Sequence, residues 1–292
     1  MTLPPEQAGF YTRPARMTDA GAVADLLRDA PSDIPGIVAY IQNLLVHVHW
    51  APAYRMRLTP KRRDETNIRS LEDMLALIDR KDGHPLIETR TLYQRMVGNC
   101  RHFSVFAVAL FRRAGIPARA RVGFGAYFRQ GTFEDHWVVE FWNGKAWQLL
   151  DAQIDAAQRT MLRLDFDTLD VSREKFVIAG DAWRRCRSGR ADPKNFGIFD
   201  MRGLWFVAGN VLRDFASLNN EEMLPWDVWG PMSPTDAELT PDKLALFDRL
   251  AALTLDVDRR FAELRALYNG DATLRVPAEV FNADRKRNEP AR

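Results

Sequence analysis

Three residues of this 292-residue chain have the types and the order needed for covalent acyl transfer: Cys100, His136 and Asp151. A thiolate attacks carbonyl carbon. An imidazole takes the thiol proton and later returns a proton to the leaving group. A carboxylate fixes which ring nitrogen is free and steadies the imidazolium. The sequence predicts that two of the three touch. Asp135–Trp142 reads D-H-W-V-V-E-F-W, Asn143-Gly144 follows, and Lys145–Asp151 reads K-A-W-Q-L-L-D. Asn-Gly between two apolar runs predicts a two-residue hairpin turn. In that register Trp142 faces Lys145, Glu140 faces Trp147, Val138 faces Leu149 and His136 faces Asp151. Facing residues lie on one side of a ladder, so the imidazole and the carboxylate share a face.

The nucleophile needs a rigid mount. Phe103, Phe106, Ala107, Leu110 and Phe111 recur at helical spacing after Cys100. Gly98-Asn99 before the run and Ala114-Gly115-Ile116-Pro117 after it are start and stop signals, giving a helix over 100–114. Cys100 then sits in the first turn, where the helix dipole and unpaired amides favour a thiolate. Upstream, residues 33–50 read as a helix, and Ser70 opens another with a capping box to Asp73. Residues 118–128 alternate with period two, Ala118, Ala120, Val122 and Phe124 against Arg119, Arg121, Gly123 and Gly125, which predicts a strand. From about residue 160 helical patterns dominate, with Thr240-Pro241 as an N-cap and first helical position.

On these motifs the chain resembles the transglutaminase-like superfamily, in particular its bacterial cysteine enzymes. The matching stretches are G-N-C-R-H-F-S at 98–104, R-A-G-I-P-A-R-A-R-V-G at 113–123, D-H-W-V-V-E-F-W at 135–142 and W-Q-L-L-D-A-Q at 147–153. They fall within residues 85–155, roughly half of a typical domain. The resemblance implies an α+β fold with a transglutaminase-like, papain-like core: a cysteine-bearing helix packed on an antiparallel sheet. It also implies acyl transfer on glutamine-like amide or peptide substrates through a thioester, with Cys100 as nucleophile, His136 as base and Asp151 as orienter. Hydrolysis is the expected outcome, because no dedicated amine site is recognisable. Papain-like enzymes place an oxyanion glutamine a short way before the cysteine, which makes Gln94 a candidate donor beside the Cys100 amide. Calcium is not carried over, since no acidic loop of the EF-hand type is present; no metal or cofactor is expected.

Two other readings stay open. Arylamine N-acetyltransferases share the triad order, but usually show Arg-Gly-Gly where this chain has Met96-Val97-Gly98-Asn99. A non-catalytic interaction domain retaining the fold could present Trp205, Trp226 and Trp229, and would leave Cys100 sealed from solvent.

The remaining candidates read as structural. Asp135 points away from His136, and His102 points away from Cys100. His47 and His49, two apart on an expected helix, do not share a face for a metal. His84 lies in a turn, and no histidine neighbours Cys186 in sequence. Apolar content of 46% and a net charge of +2 suit a soluble globular protein without a nucleic-acid footprint. Two cysteines fit a reducing, cytoplasmic setting. No signal peptide or membrane span is evident, and the expected partner is a peptide, protein or small amide. The expected organisation is an irregular arm at 1–20, a core with N-terminal helices at 21–160, a helical extension at 161–282 and a disordered tail at 283–292.

Overall fold

The computed structural model describes residues 2–291. In chain order its elements are α1 (Pro5–Thr12), α2 (Ile34–Leu44), β1 (Leu45–His47), α3 (Pro60–Arg63), α4 (Leu71–Asp82), β2 (Met96–Gly98), α5 (Cys100–Arg113), β3 (Ala118–Gly125), β4 (Phe133–Trp142) and β5 (Trp147–Leu150). There follow α6 (Ala156–Leu162), β6 (Phe176–Ile178), α7 (Ala179–Arg187), β7 (Phe196–Ile198), β8 (Met201–Arg202), α8 (Leu204–Ser217), β9 (Asp227–Val228), α9 (Pro241–Leu255), α10 (Val257–Gly270), β10 (Glu279–Asn282) and β11 (Arg287–Pro290).

The central helix is α5. The Asn99 side chain accepts from the Arg101 amide, and the His102 ring accepts from the Asn99 amide, so the first turn is capped from both directions. Cys100 is therefore the first helical residue. From Cys100 to Arg112 every side chain is buried. Phe111 packs on Phe141 of β4 at 5.3 Å between ring centres, and Phe106 meets Tyr40 of α2 at 6.4 Å. The buried guanidinium of Arg101 donates to the carbonyls of Arg69 and Glu222, which satisfies a cation the core could not otherwise hold.

The sheet runs β6-β3-β4-β7-β8, with β5 also on β4. β3 and β4 pair antiparallel over eight positions, Gly123 opposite His136. The other edge of β4 is shared. β7 joins it in parallel at Phe133 and Glu134, and β5 joins it antiparallel from Val139 to Trp142. Residues 135–138 thus have a strand partner on the β3 side only, and the sheet opens beside His136. Because β6 and β7 belong to the same sheet, the division expected at residue 160 runs through one structural unit.

The alternation in β3 has a tertiary explanation. Arg119 and Arg121 do not face water; helices of the second half cover them. Glu140, fully buried, accepts from Arg119 at 2.6 Å and Arg121 at 2.9 Å. Asp214 of α8, also fully buried, accepts from Nε and Nη2 of Arg121 and from the Val122 amide. Removing one partner of such a pair strands the other charge in the core. Asp214→Ala should therefore destabilise the fold by about 3–5 kcal/mol, read as a lowered urea midpoint. A loss below about 1 kcal/mol would show that the network contributes little.

Several local expectations are corrected. The arm expected at 1–20 contains α1, anchored by the Tyr11 hydroxyl on the Leu218 carbonyl at 2.9 Å. The helix expected over 33–50 stops at Leu44. Val46 and Val48 instead bury in a small cluster with Val97, which needs β1 extended and parallel to β2. The tail expected to be disordered forms β11 against β10. Two of its charges are partnered: Arg285 with Asp64, and Glu289 with Arg69 and Asn282. Among the described residues no helix is long and apolar enough to cross a membrane.

Candidate active site

The hairpin that positions His136 and Asp151 differs from the sequence expectation by two residues. Its loop spans Asn143–Ala146, closed by the Asn143 amide donating to the Ala146 carbonyl, with Gly144 at φ 91°. Asn143 Oδ1 accepts from the amides of Lys145 and Ala146. Trp142 therefore faces Trp147, and Glu140 faces Leu149. A slip of two returns every side chain to its original face, so Asp151 still shares a face with His136, now as a diagonal neighbour. β5 ends at Leu150, where the Asp151 amide turns to the Thr168 carbonyl. That turn brings the carboxylate across: His136 Nε2 donates to Asp151 Oδ2 at 2.8 Å. Both residues are buried, and Cys100 retains 7% of its surface.

Asp151 is held by two further donors. Its Oδ1 accepts the Gln153 amide at 3.0 Å, and its Oδ2 also accepts the Tyr127 hydroxyl at 2.6 Å. Sequence reasoning treated Tyr127 only as part of an alternating strand. The available signal was its place just beyond Gly123, which opposes His136. Burial pushes the Tyr127 phenol well above its ordinary range, with Asp151 adding to the effect, so it stays a donor. Phe128, next along, covers the imidazole edge-on at 4.8 Å.

Burial alone would drive His136 neutral. The charge of Asp151 and its hydrogen bond, aided by Cys100, outweigh that and raise the imidazole to about 10. Since Nε2 is committed to Asp151, Nδ1 is the nitrogen left for Cys100. The arrangement is an imidazole held between a carboxylate and a sulfur, at the buried first turn of a helix.

Gln94 does not join this group. Its amide donates to Asp82 and its carbonyl accepts from Thr91, so it serves a turn rather than an oxyanion. Asp135 accepts from Asn210 of α8 at 2.7 Å, and burial raises its carboxyl. His102 is spent on the helix cap and the Ile68 carbonyl. Burial pushes the Cys186 thiol up to about 12, with Asp192 adding to it, the reverse of activation. The indoles of Trp226 and Trp229 donate to Asn67 and to the Leu274 carbonyl, packing the C-terminal segment. His47 and His49 lie on and just after a strand instead of a helix, with ring centres 5.5 Å apart.

No curated protein matches this chain. Among solved structures it resembles a candidate cysteine protease from Cytophaga hutchinsonii at 18% identity and a TM-score of 0.35. That match covers 62% of this chain and half of the other. Residues 62–152 match the family model of the transglutaminase-like superfamily. That segment, which is similar to the transglutaminase-like superfamily, contains α5, β3, β4 and β5 with Cys100, His136 and Asp151 of this α+β protein.

Proposed function

We propose that this protein is a Cys-His-Asp acyl-transfer enzyme that hydrolyses amide or peptide bonds of the glutamine type through a thioester. The observation that carries the reading is the Asp151–His136 hydrogen bond at 2.8 Å beside a cysteine at a helix start. The Cys100 sulfur bonds to the carbonyl carbon, and the π pair of the carbonyl moves onto oxygen. As that oxyanion collapses the C–N bond breaks, and the His136 imidazolium gives its proton to the departing nitrogen. Water, deprotonated by the now neutral imidazole, then displaces the sulfur, leaving a carboxylic acid, ammonia or an amine, and the resting pair. Hydrolysis is the outcome we propose over transfer, since among the described residues no residue set stands out as a second amine site.

The test is direct. Purified protein is incubated with a panel of glutamine peptides and simple amides, quenched in acid and weighed intact, while released ammonia is assayed. An acyl adduct on Cys100, absent in Cys100→Ala, is expected with at least one member. The absence of adduct and ammonia across the panel, together with a Cys100 that iodoacetamide does not label, would favour the non-catalytic interaction domain.

A further inference from the structure

β1 carries a second imidazole to the same place. β1 runs parallel to β2, with His47 directly opposite Gly98, two residues before Cys100. The His47 ring lies against Phe103 at 6.5 Å. Phe103 is three residues after Cys100 on α5, and therefore on the same side of that helix. His47 also sits close enough to His136 for the two rings to disfavour each other's charge.

Its protonation is set by the backbone. His47 Nδ1 accepts the His49 amide at 3.2 Å, so the hydrogen of the neutral ring is on Nε2. His47 is 7% exposed, and among the described residues Nε2 has no hydrogen-bond partner. Burial first, then His49, His136 and His102, keep this imidazole well below its ordinary range. A neutral ring fixed in one tautomer, with an N–H that no group takes among the described residues, is a donor prepared for an acceptor the protein itself does not supply.

Resting on the proposed thioester chemistry, we infer that His47 Nε2–H, together with the Cys100 backbone amide, binds the oxyanion formed when Cys100 attacks. This is the part that Gln94 does not play. In the step, the C–S bond forms as the carbonyl π pair moves onto oxygen, and the two N–H groups hydrogen-bond that oxygen until the C–N bond breaks. The competing destination for Nε2–H is a water in the adjoining cavity of about 10 Å³, which His47 lines with Phe103 and Gln153, and where Gln153 Oε1 is also unpaired.

Two reactions of the same thiol separate these roles. Acylation of Cys100 by p-nitrophenyl acetate passes through an oxyanion; alkylation by iodoacetamide does not. His47→Ala should slow the p-nitrophenolate burst about 10²-fold or more while leaving the alkylation rate within about twofold. His47→Gln, which restores an N–H donor, should recover a large part of the acylation rate, with melting temperatures measured alongside. Equal slowing of both reactions would assign His47 a purely structural role. No slowing of either would assign its N–H to the cavity water. Either outcome overturns the inference while leaving the triad standing, whereas a wild-type Cys100 inert to both reagents would overturn the parent reading.

Discussion

With His136 replaced by alanine, turnover of any amide that the wild-type protein hydrolyses should fall by about 10³–10⁴-fold. In the proposed mechanism the same ring serves twice, as the base for Cys100 and as the acid that protonates the departing nitrogen. Losing it removes both functions, and the second imidazole nearby, His47, is held well below its ordinary range by burial. Asp135 is turned toward Asn210, and His102 is committed to the α5 cap. The fold should survive, because the core below β4 is built from Trp137, Val139 and Phe141 on the opposite face. Iodoacetamide labelling gives an independent readout: Cys100 in the variant should be labelled more slowly at neutral pH, with a changed pH profile. Labelling with an unchanged pH profile would refute the pairing of sulfur and imidazole.

Asp151→Asn should be nearly as damaging, by about 10³–10⁴-fold, for a reason specific to this site. Oδ1 accepts the fixed amide of Gln153, while Oδ2 accepts from His136 and Tyr127. An asparagine must keep its oxygen toward the Gln153 amide, because an NH₂ there would face another donor. Its NH₂ then points at His136, and Nε2 has to accept. The ring proton moves to Nδ1, the side that should take the thiol proton. The charge effect has the same sign. Burial lowers the imidazole and Asp151 raises it to about 10. Without the carboxylate, burial governs, and the ring titrates below its ordinary 6.5. The wild-type profile of kcat/KM should therefore hold up to about pH 10 before its alkaline fall, and in the variant that alkaline fall should begin already below neutrality. A variant with a wild-type alkaline limb would show that Asp151 does not govern the ring.

Much of the core was legible because its signals are local. Asn99, Cys100 and the apolar period of 103–111 define α5 without help from distant residues. The hairpin was legible in kind, although its loop length was wrong. Asn143 can turn the chain in two residues or, by accepting from Lys145 and Ala146, in four, and only packing of Trp147 and Leu149 selects between them. The error did no harm, since it was even and strand faces repeat every two residues. An error of one would have turned Asp151 away. Long helical patterns such as α9 and the Ser70 cap of α4 were read correctly for the same local reason. The misreadings were segments whose state depends on a partner: β1 needs β2, β11 needs β10, and the arm at 1–20 needs the Leu218 carbonyl.

Residue order alone, then, determined the start of α5 at Cys100 and the common face of His136 and Asp151, because helix caps and two-residue periodicity act within a few residues. The fold alone decided the rest. Arg119 and Arg121 became a buried lattice with Glu140 and Asp214, Tyr127 became a holder of Asp151, and His47 arrived opposite Gly98, just ahead of α5. These contacts join distant segments. Their energy comes from excluding water around groups that must then find partners in the interior.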